Sequence, residues 1–270
     1  MFAYKFFDYK DFIPDVDKGN VMWSIPHIVF IILASLSIVL LCFFLRKTKS
    51  KNIENYLKTI SIIMPILEII KIVWESYWDI KLGHGFNITG LLPLYTCSMF
   101  MFVLPFAGFG KGRIKECALA FLTTLGVFAG MTNFFLPPIL NTYPFFTYAS
   151  FMSLNYHYLM VFTGFLIVSS KYYIPNIKSI FKGFLPLLAF SLLVIPFDYI
   201  MFYNGYTTID YMLYIHGNGA PILPEFSKTL GSYNLRGIYT LLVMIGYLII
   251  EVIFIGLYQL VIKIKGEKHE

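Results

Sequence analysis

The chain has 270 residues, of which 58% are hydrophobic and 13% charged, and its mean hydropathy is +0.71. Water-soluble domains carry about 45–50% apolar and about 25% charged residues, so a soluble enzyme or binding domain is excluded by composition. The net charge of +6 would suit nucleic acid, but the basic residues sit in short connections between apolar runs, where membrane orientation requires them, and no nucleic-acid partner is expected.

The first 24 residues hold Asp8, Asp11, Asp15 and Asp17 among aromatics. No basic stretch or small-residue cleavage site precedes the first apolar run, so the first helix is expected to be retained. A helix needs about 20 mainly apolar residues to cross the roughly 30 Å hydrocarbon core. Runs of that kind fall near 25–45, 57–78, 91–109, 116–139, 145–170, 180–203 and 236–263. The expectation is an all-α protein: a polytopic membrane helix bundle of about seven transmembrane helices, a single membrane domain over residues 1–270.

Lys and Arg set the orientation. One set of connections holds Arg46, Lys47, Lys49, Lys51, Lys58, Lys111, Arg113, Lys115, Lys171, Lys178, Lys182, Lys263, Lys265 and Lys268, the other only Lys5, Lys10, Lys18, Lys81, Lys228 and Arg236. An excess of basic residues marks the cytoplasmic side, which places the N-terminus outside and the C-terminus in the cytoplasm of a multi-pass protein of the cell membrane. The one long connection, the outer loop 204–235, holds Asn204-Gly205, Gly217-Asn218-Gly219, Pro221 and Pro224. Its turn residues and tyrosines suit either a lid on the membrane surface or a simple tether.

Ionisable side chains at membrane depth cost about 2.5–3.5 kcal/mol each on insertion scales, so those present face a partner or a wet cavity. With a rise of about 1.5 Å per residue, Glu68, Lys71, Glu75, Cys97, Asn133, Asn155, His157 and Asp198 all fall within about 20 Å of the outer boundary, which predicts a polar cavity in the outer half of the bundle. Glu68, Lys71 and Glu75 share one helix face, with Lys71 spaced to pair with either carboxylate. They are either a self-neutralising ion pair or a carboxylate left to act as base or ligand anchor. His157 is either a packing donor or a general base. Asp198 follows Pro196 and is either interfacial or part of the cavity. Glu251 lies deep in the last run with no partner evident by spacing.

Cys42, Cys97 and Cys117 stand too far apart for a disulfide framework or zinc site, and no metal or cofactor is expected. Cys97 is a buried hydrophobe or, with a base such as His157 in reach, a nucleophile. No Gly-rich phosphate loop, HExxH helix, GxSxG elbow or CxxC pair occurs, which removes the commoner motif-defined enzymes.

Three stretches carry a resemblance. These are Leu92-Pro93-Leu94-Tyr95-Thr96-Cys97, opening the third run; Gly126, Gly130, Pro137, Pro138, Tyr143-Pro144-Phe145-Phe146 and His157; and Tyr203-Asn204-Gly205-Tyr206. Together they resemble the YwaF-type family of bacterial polytopic membrane proteins, in which the first stretch reads Leu-Pro-Leu-His-Leu-Cys, so Tyr95 and Thr96 depart from it. The resemblance implies a distant similarity to eukaryotic membrane phospholipid acyltransferases that use a cysteine in an Asn-Pro-Cys-His setting. Aligned on Pro93, Leu94 takes the cysteine position and Tyr95 the histidine position, so the nucleophile is absent in that alignment and Cys97 could substitute only if it turned toward the cavity.

Three functional readings follow. A lipid-modifying or acyl-transferring enzyme would use Cys97 and His157 as catalytic groups, oriented by Glu68 or Glu75. A transporter or binding protein would hold a polar or lipidic small molecule among Glu68, Lys71, Glu75, Tyr95, Asn133, Asn155 and Asp198. An accessory protein would use the same charges only to fix helix packing. In each, membrane lipids are the expected surroundings.

Overall fold

The computed structural model describes residues 5–13, 21–85, 92–204 and 236–264, so nearly all of the expected outer loop 204–235 lies outside the described residues. Regular structure among them is helical throughout. The chain divides into two compact units, Met1–Phe86 with Gly126–Ile174 and Asn87–Leu125 with Pro175–Glu270.

In the first unit, α1 (Ile25–Leu45) carries Pro26 in its opening turn, where no backbone N–H is needed. Its buried residues His27, Ala34, Ile38 and Cys42 form one stripe. The rest of α1 exposes large side chains such as Ile32, Leu33, Val39 and Phe44, which hydrocarbon tolerates and water does not. The helix α2 (Ser50–Lys81) overruns the expected span 57–78 at both ends. The extra turns are charged and so fall below an apolar threshold, yet Lys58 pairs with Glu54 at 2.6 Å across one helical turn, a spacing that supports helix. Both α1 and α2 pack on α6 (Tyr148–Ser169), and hydroxyl pairs join them: Ser37 to Tyr158 at 2.9 Å and Tyr56 to Thr163 at 2.7 Å. The Thr147 side chain caps α6 by accepting from the Ser150 N–H at 3.4 Å. A Cβ on Gly130 would stand 2.9 Å from both Met160 and Val161 of α6, so glycine permits that close approach.

The second unit holds α3 (Met99–Phe109), α4 (Gly112–Thr123), α7 (Ser179–Tyr203) and α8 (Arg236–Ile264). Here α4 packs against α3 and α7, and α7 against α8. Two expectations need correction. The run 91–109 is not one helix: residues 95–98 form a turn and α3 begins only at Met99. Pro93 donates no backbone hydrogen bond and pushes Leu92 away from helical geometry. At 11 residues, α3 is about 16 Å long, short of the hydrocarbon core. The run 116–139 is also divided. Thr124 leaves helical geometry at φ −125°, ψ −87°, and α5 (Leu125–Phe135) continues the chain, mostly within the first unit. The break is satisfied from the side: the Thr123 and Thr124 hydroxyls donate to the Ala120 carbonyl at 3.0 and 2.7 Å, and the Tyr258 hydroxyl to the Thr123 carbonyl at 2.8 Å. Local hydroxyl bonds of this kind compete with the helical ladder.

Five described stretches are long and apolar enough to cross a membrane: Ile25–Leu45, Gly112–Asn141, Tyr148–Ser169, Ser179–Met201 and Thr240–Val261. The protein is a polytopic helical membrane protein. In α2 the second half carries Glu68, Lys71, Glu75 and Asp79, and these charges set it apart from that group.

Candidate functional site in the first unit

One face of α2 assembles the candidate site. Of the two pairings open to Lys71, the structure shows Glu68, whose carboxylate accepts from the ammonium at 3.0 Å. Glu75, half-buried one turn further on, lies within electrostatic reach of Lys71. All three charges lie within electrostatic reach of the Tyr148 hydroxyl on α6.

Past the end of the expected span, the same face continues into a network the sequence reading missed. Asp79 is 7% exposed and accepts from the Tyr9 hydroxyl at 2.6 Å. His84 stands 3.5 Å from Asp79 through Nδ1 and 3.4 Å from Asp11 through Nε2. Tyr9 and Ile13 bury against Tyr143 and Ala149, with Trp74 and Trp78 packed on them. The Trp74 ring meets Tyr148 at 5.0 Å and Tyr9 at 5.6 Å. Burial, and next the bond to Asp79, pushes the Tyr9 phenol above its ordinary range; burial, and next the charge of Glu75, does the same to Tyr143. The signal for Asp79 was in the sequence, one turn after Glu75 on the same helical stripe. It lay one residue outside a boundary drawn by hydropathy.

His157 on α6 is 6% exposed. Its Nδ1 stands 2.7 Å from the Ser153 carbonyl, and a carbonyl can only accept, so Nδ1 carries a proton and donates. That assigns the Nε2 lone pair of the neutral ring to the interior. Nε2 is buried without a hydrogen-bond partner among the described residues, and Lys71 lies within electrostatic reach of the ring. Asn133 and Asn155 are half-buried, and each amide donates to its own helix four residues back, to Ala129 at 3.2 Å and to Phe151 at 2.8 Å.

Of the residues expected at the site, Glu68, Lys71, Glu75, Asn133, Asn155 and His157 belong to the first unit. Tyr95, Cys97 and Asp198 belong to the second. Tyr95 is exposed and Cys97 half-buried in the turn before α3, beside Thr96, whose hydroxyl shares a hydrogen bond with that of Tyr247 at 2.7 Å. Asp198 is 1% exposed on α7. Cys42, Cys97 and Cys117 are not joined in a disulfide. No group of three or more His, Cys, Asp or Glu among the described residues is placed to hold a metal ion.

No curated protein and no solved structure matches the chain. A model of the TMEM164 family matches residues 22–258, a stretch that takes in every helix from α1 to most of α8, and the chain therefore belongs to the TMEM164 family.

Proposed function

We propose that this membrane protein is a lipid-modifying enzyme of the group-transfer type, with His157 as its base and the α2 face as the floor of its site. The observation that carries the reading is the His157 ring, fixed at Nδ1 by the Ser153 carbonyl at 2.7 Å and presenting a buried Nε2 without a hydrogen-bond partner among the described residues. A base needs its lone pair free and its ring orientation set, and both conditions are met here. In the proposed step Nε2 takes the proton of a lipid hydroxyl as that oxygen attacks an acyl carbonyl; collapse of the adduct expels the donor's alkoxide, which recovers the proton. Lys71 on α2 and the Tyr148 hydroxyl on α6, within electrostatic reach of each other, would hold polar headgroup atoms, and Glu68 holds Lys71 in place.

The YwaF-type resemblance points to the same chemistry but routes it through a thiol, and the thiol it offers, Cys97, belongs to the second unit. The site would open to the outer leaflet of the cell membrane, the side the basic residues leave to the N-terminus.

The test uses the full chain in nanodiscs with an acyl-donor phospholipid and an isotopically labelled lysophospholipid acceptor, product being read by mass spectrometry. Transfer should fall by about 10²-fold or more in His157→Gln, the usual worth of a positioned base. Absence of transfer in wild type across donor and acceptor classes, or full activity in His157→Gln, refutes the reading. Transfer that survives Cys97→Ala assigns the direct route, and loss of transfer assigns a thioester. Saturable lipid binding with no turnover, lost on charge reversal at Glu75, would instead support a binding or transport protein.

A further inference from the structure

The second unit contains a polar group that the proposed chemistry does not use. Glu251, on α8, is 0% exposed, and neither of its carboxyl oxygens has a hydrogen-bond partner among the described residues. The carboxyl lies against the backbone of α7 at Gly183. A Cβ built there would collide with Oε1 and stand 2.8 Å from the carboxyl carbon. On the α4 side the group faces Thr124, at the break that ends α4, but the Thr124 hydroxyl donates instead to the Ala120 carbonyl at 2.7 Å.

The nearby charges answer one another. Lys182, next to Gly183 in the chain, is paired with Glu116 of α4, and the Tyr258 hydroxyl, further along α8, donates to the Thr123 carbonyl at 2.8 Å. No cation among the described residues is paired with Glu251. An ionised carboxylate without cation or donor in a low-dielectric interior costs several kcal/mol, far more than a neutral acid.

From this geometry we infer that Glu251 is a proton-binding site inside the second unit, a carboxylic acid held between Gly183 of α7 and the Thr124 break of α4. A proton is the one cation that needs no coordination shell, which suits a carboxyl packed directly on a glycine. Once protonated, the acid O–H has an acceptor to hand in the Thr124 hydroxyl oxygen, which can receive that bond while donating its own to Ala120. The absence of a side chain at residue 183 makes the room.

The test is infrared difference spectroscopy of the full chain in lipid, wild type against Glu251→Gln, in H2O and D2O near neutral pH. The expected result is a protonated-acid carbonyl band in wild type, missing from Glu251→Gln and shifted in D2O. A difference spectrum showing only carboxylate stretches overturns the proposal. Gly183→Ala supplies the second arm in a background that keeps Glu251: the acid band should move or vanish as the carboxyl is displaced, and an unchanged band would refute the placement. Neither arm depends on lipid turnover, so failure of this inference and failure of the enzymatic reading are distinguishable.

Discussion

Two regions of this protein handle charge in opposite ways. On the α2 face of the first unit nearly every ionic group has an answer: Glu68 holds Lys71, Asp79 receives the Tyr9 hydroxyl, and His84 stands between Asp11 and Asp79. In the interior of the second unit Glu251 has neither donor nor cation among the described residues, only a glycine against which to lie. A group answered by others can remain charged and half-wet. A group left alone must be neutral or be stabilised by what it binds. The same contrast recurs between two buried histidines. His27, 0% exposed, accepts from the Trp23 N–H at Nδ1 (3.1 Å) and donates from Nε2 to the Phe134 carbonyl (3.2 Å). Both of its nitrogens are spent on structure, whereas His157 keeps one.

The largest expected effect breaks the contrast at Gly183. A methyl group there overlaps the Glu251 carboxyl, which must be displaced within a packed interior, so Gly183→Ala should destabilise by about 1–3 kcal/mol, the usual cost of overpacking. The double variant Gly183→Ala, Glu251→Ala should recover most of that loss, because the clash is with one side chain. Thermal unfolding in detergent reads both; a double variant no better than the single would mean that the crowding lies in the backbone.

The histidines separate stability from chemistry. His27→Ala leaves the buried Phe134 carbonyl and the Trp23 N–H unanswered and should cost about 1–3 kcal/mol. His157→Gln should unfold close to wild type while losing lipid turnover. Equal destabilisation by the two would make His157 another structural ring and remove the observation on which the enzymatic reading stands.

Most of the helical architecture was legible because hydrophobic length is a direct physical requirement of a bilayer. The edges of α1, α6, α7 and α8 fall within a few residues of the apolar runs. Where helix and hydropathy part, local chemistry explains it. Charged turns extend α2, Pro93 delays α3, and the hydroxyls of Thr123 and Thr124 interrupt a run that reads as continuous. The site was legible along one helix and opaque between helices. The spacing of Glu68, Lys71 and Glu75 predicted a shared face, but no spacing could show that Tyr9, seventy residues earlier, would fold onto Asp79. Glu251 was visible as a deep carboxylate; that a glycine faces it depends on the rotation of α7 and α8, which hydropathy does not encode.

The smallest effect lies at the Glu68–Lys71 pair, and a comparison with Tyr9 and Asp79 on the same α2 face shows how each pair is held. The Glu68–Lys71 pair is partly exposed, so Lys71→Met should shift stability by only about 0.2–1 kcal/mol. Tyr9→Phe removes a buried bond to a carboxylate and should cost more, about 1.5–3 kcal/mol. Its pH dependence has a fixed sign. Folding raises the Tyr9 phenol above its ordinary value of about 10, chiefly by burial, so the neutral phenol contributes its full stability below about pH 10 and loses it as the pH climbs toward the folded-state value. Wild type should therefore lose stability above about pH 10, and Tyr9→Phe should lose less, with the remaining slope coming from Tyr143, which burial shifts the same way. Parallel alkaline melting curves for the two proteins would mean that Tyr9 is not held against Asp79 in the folded state.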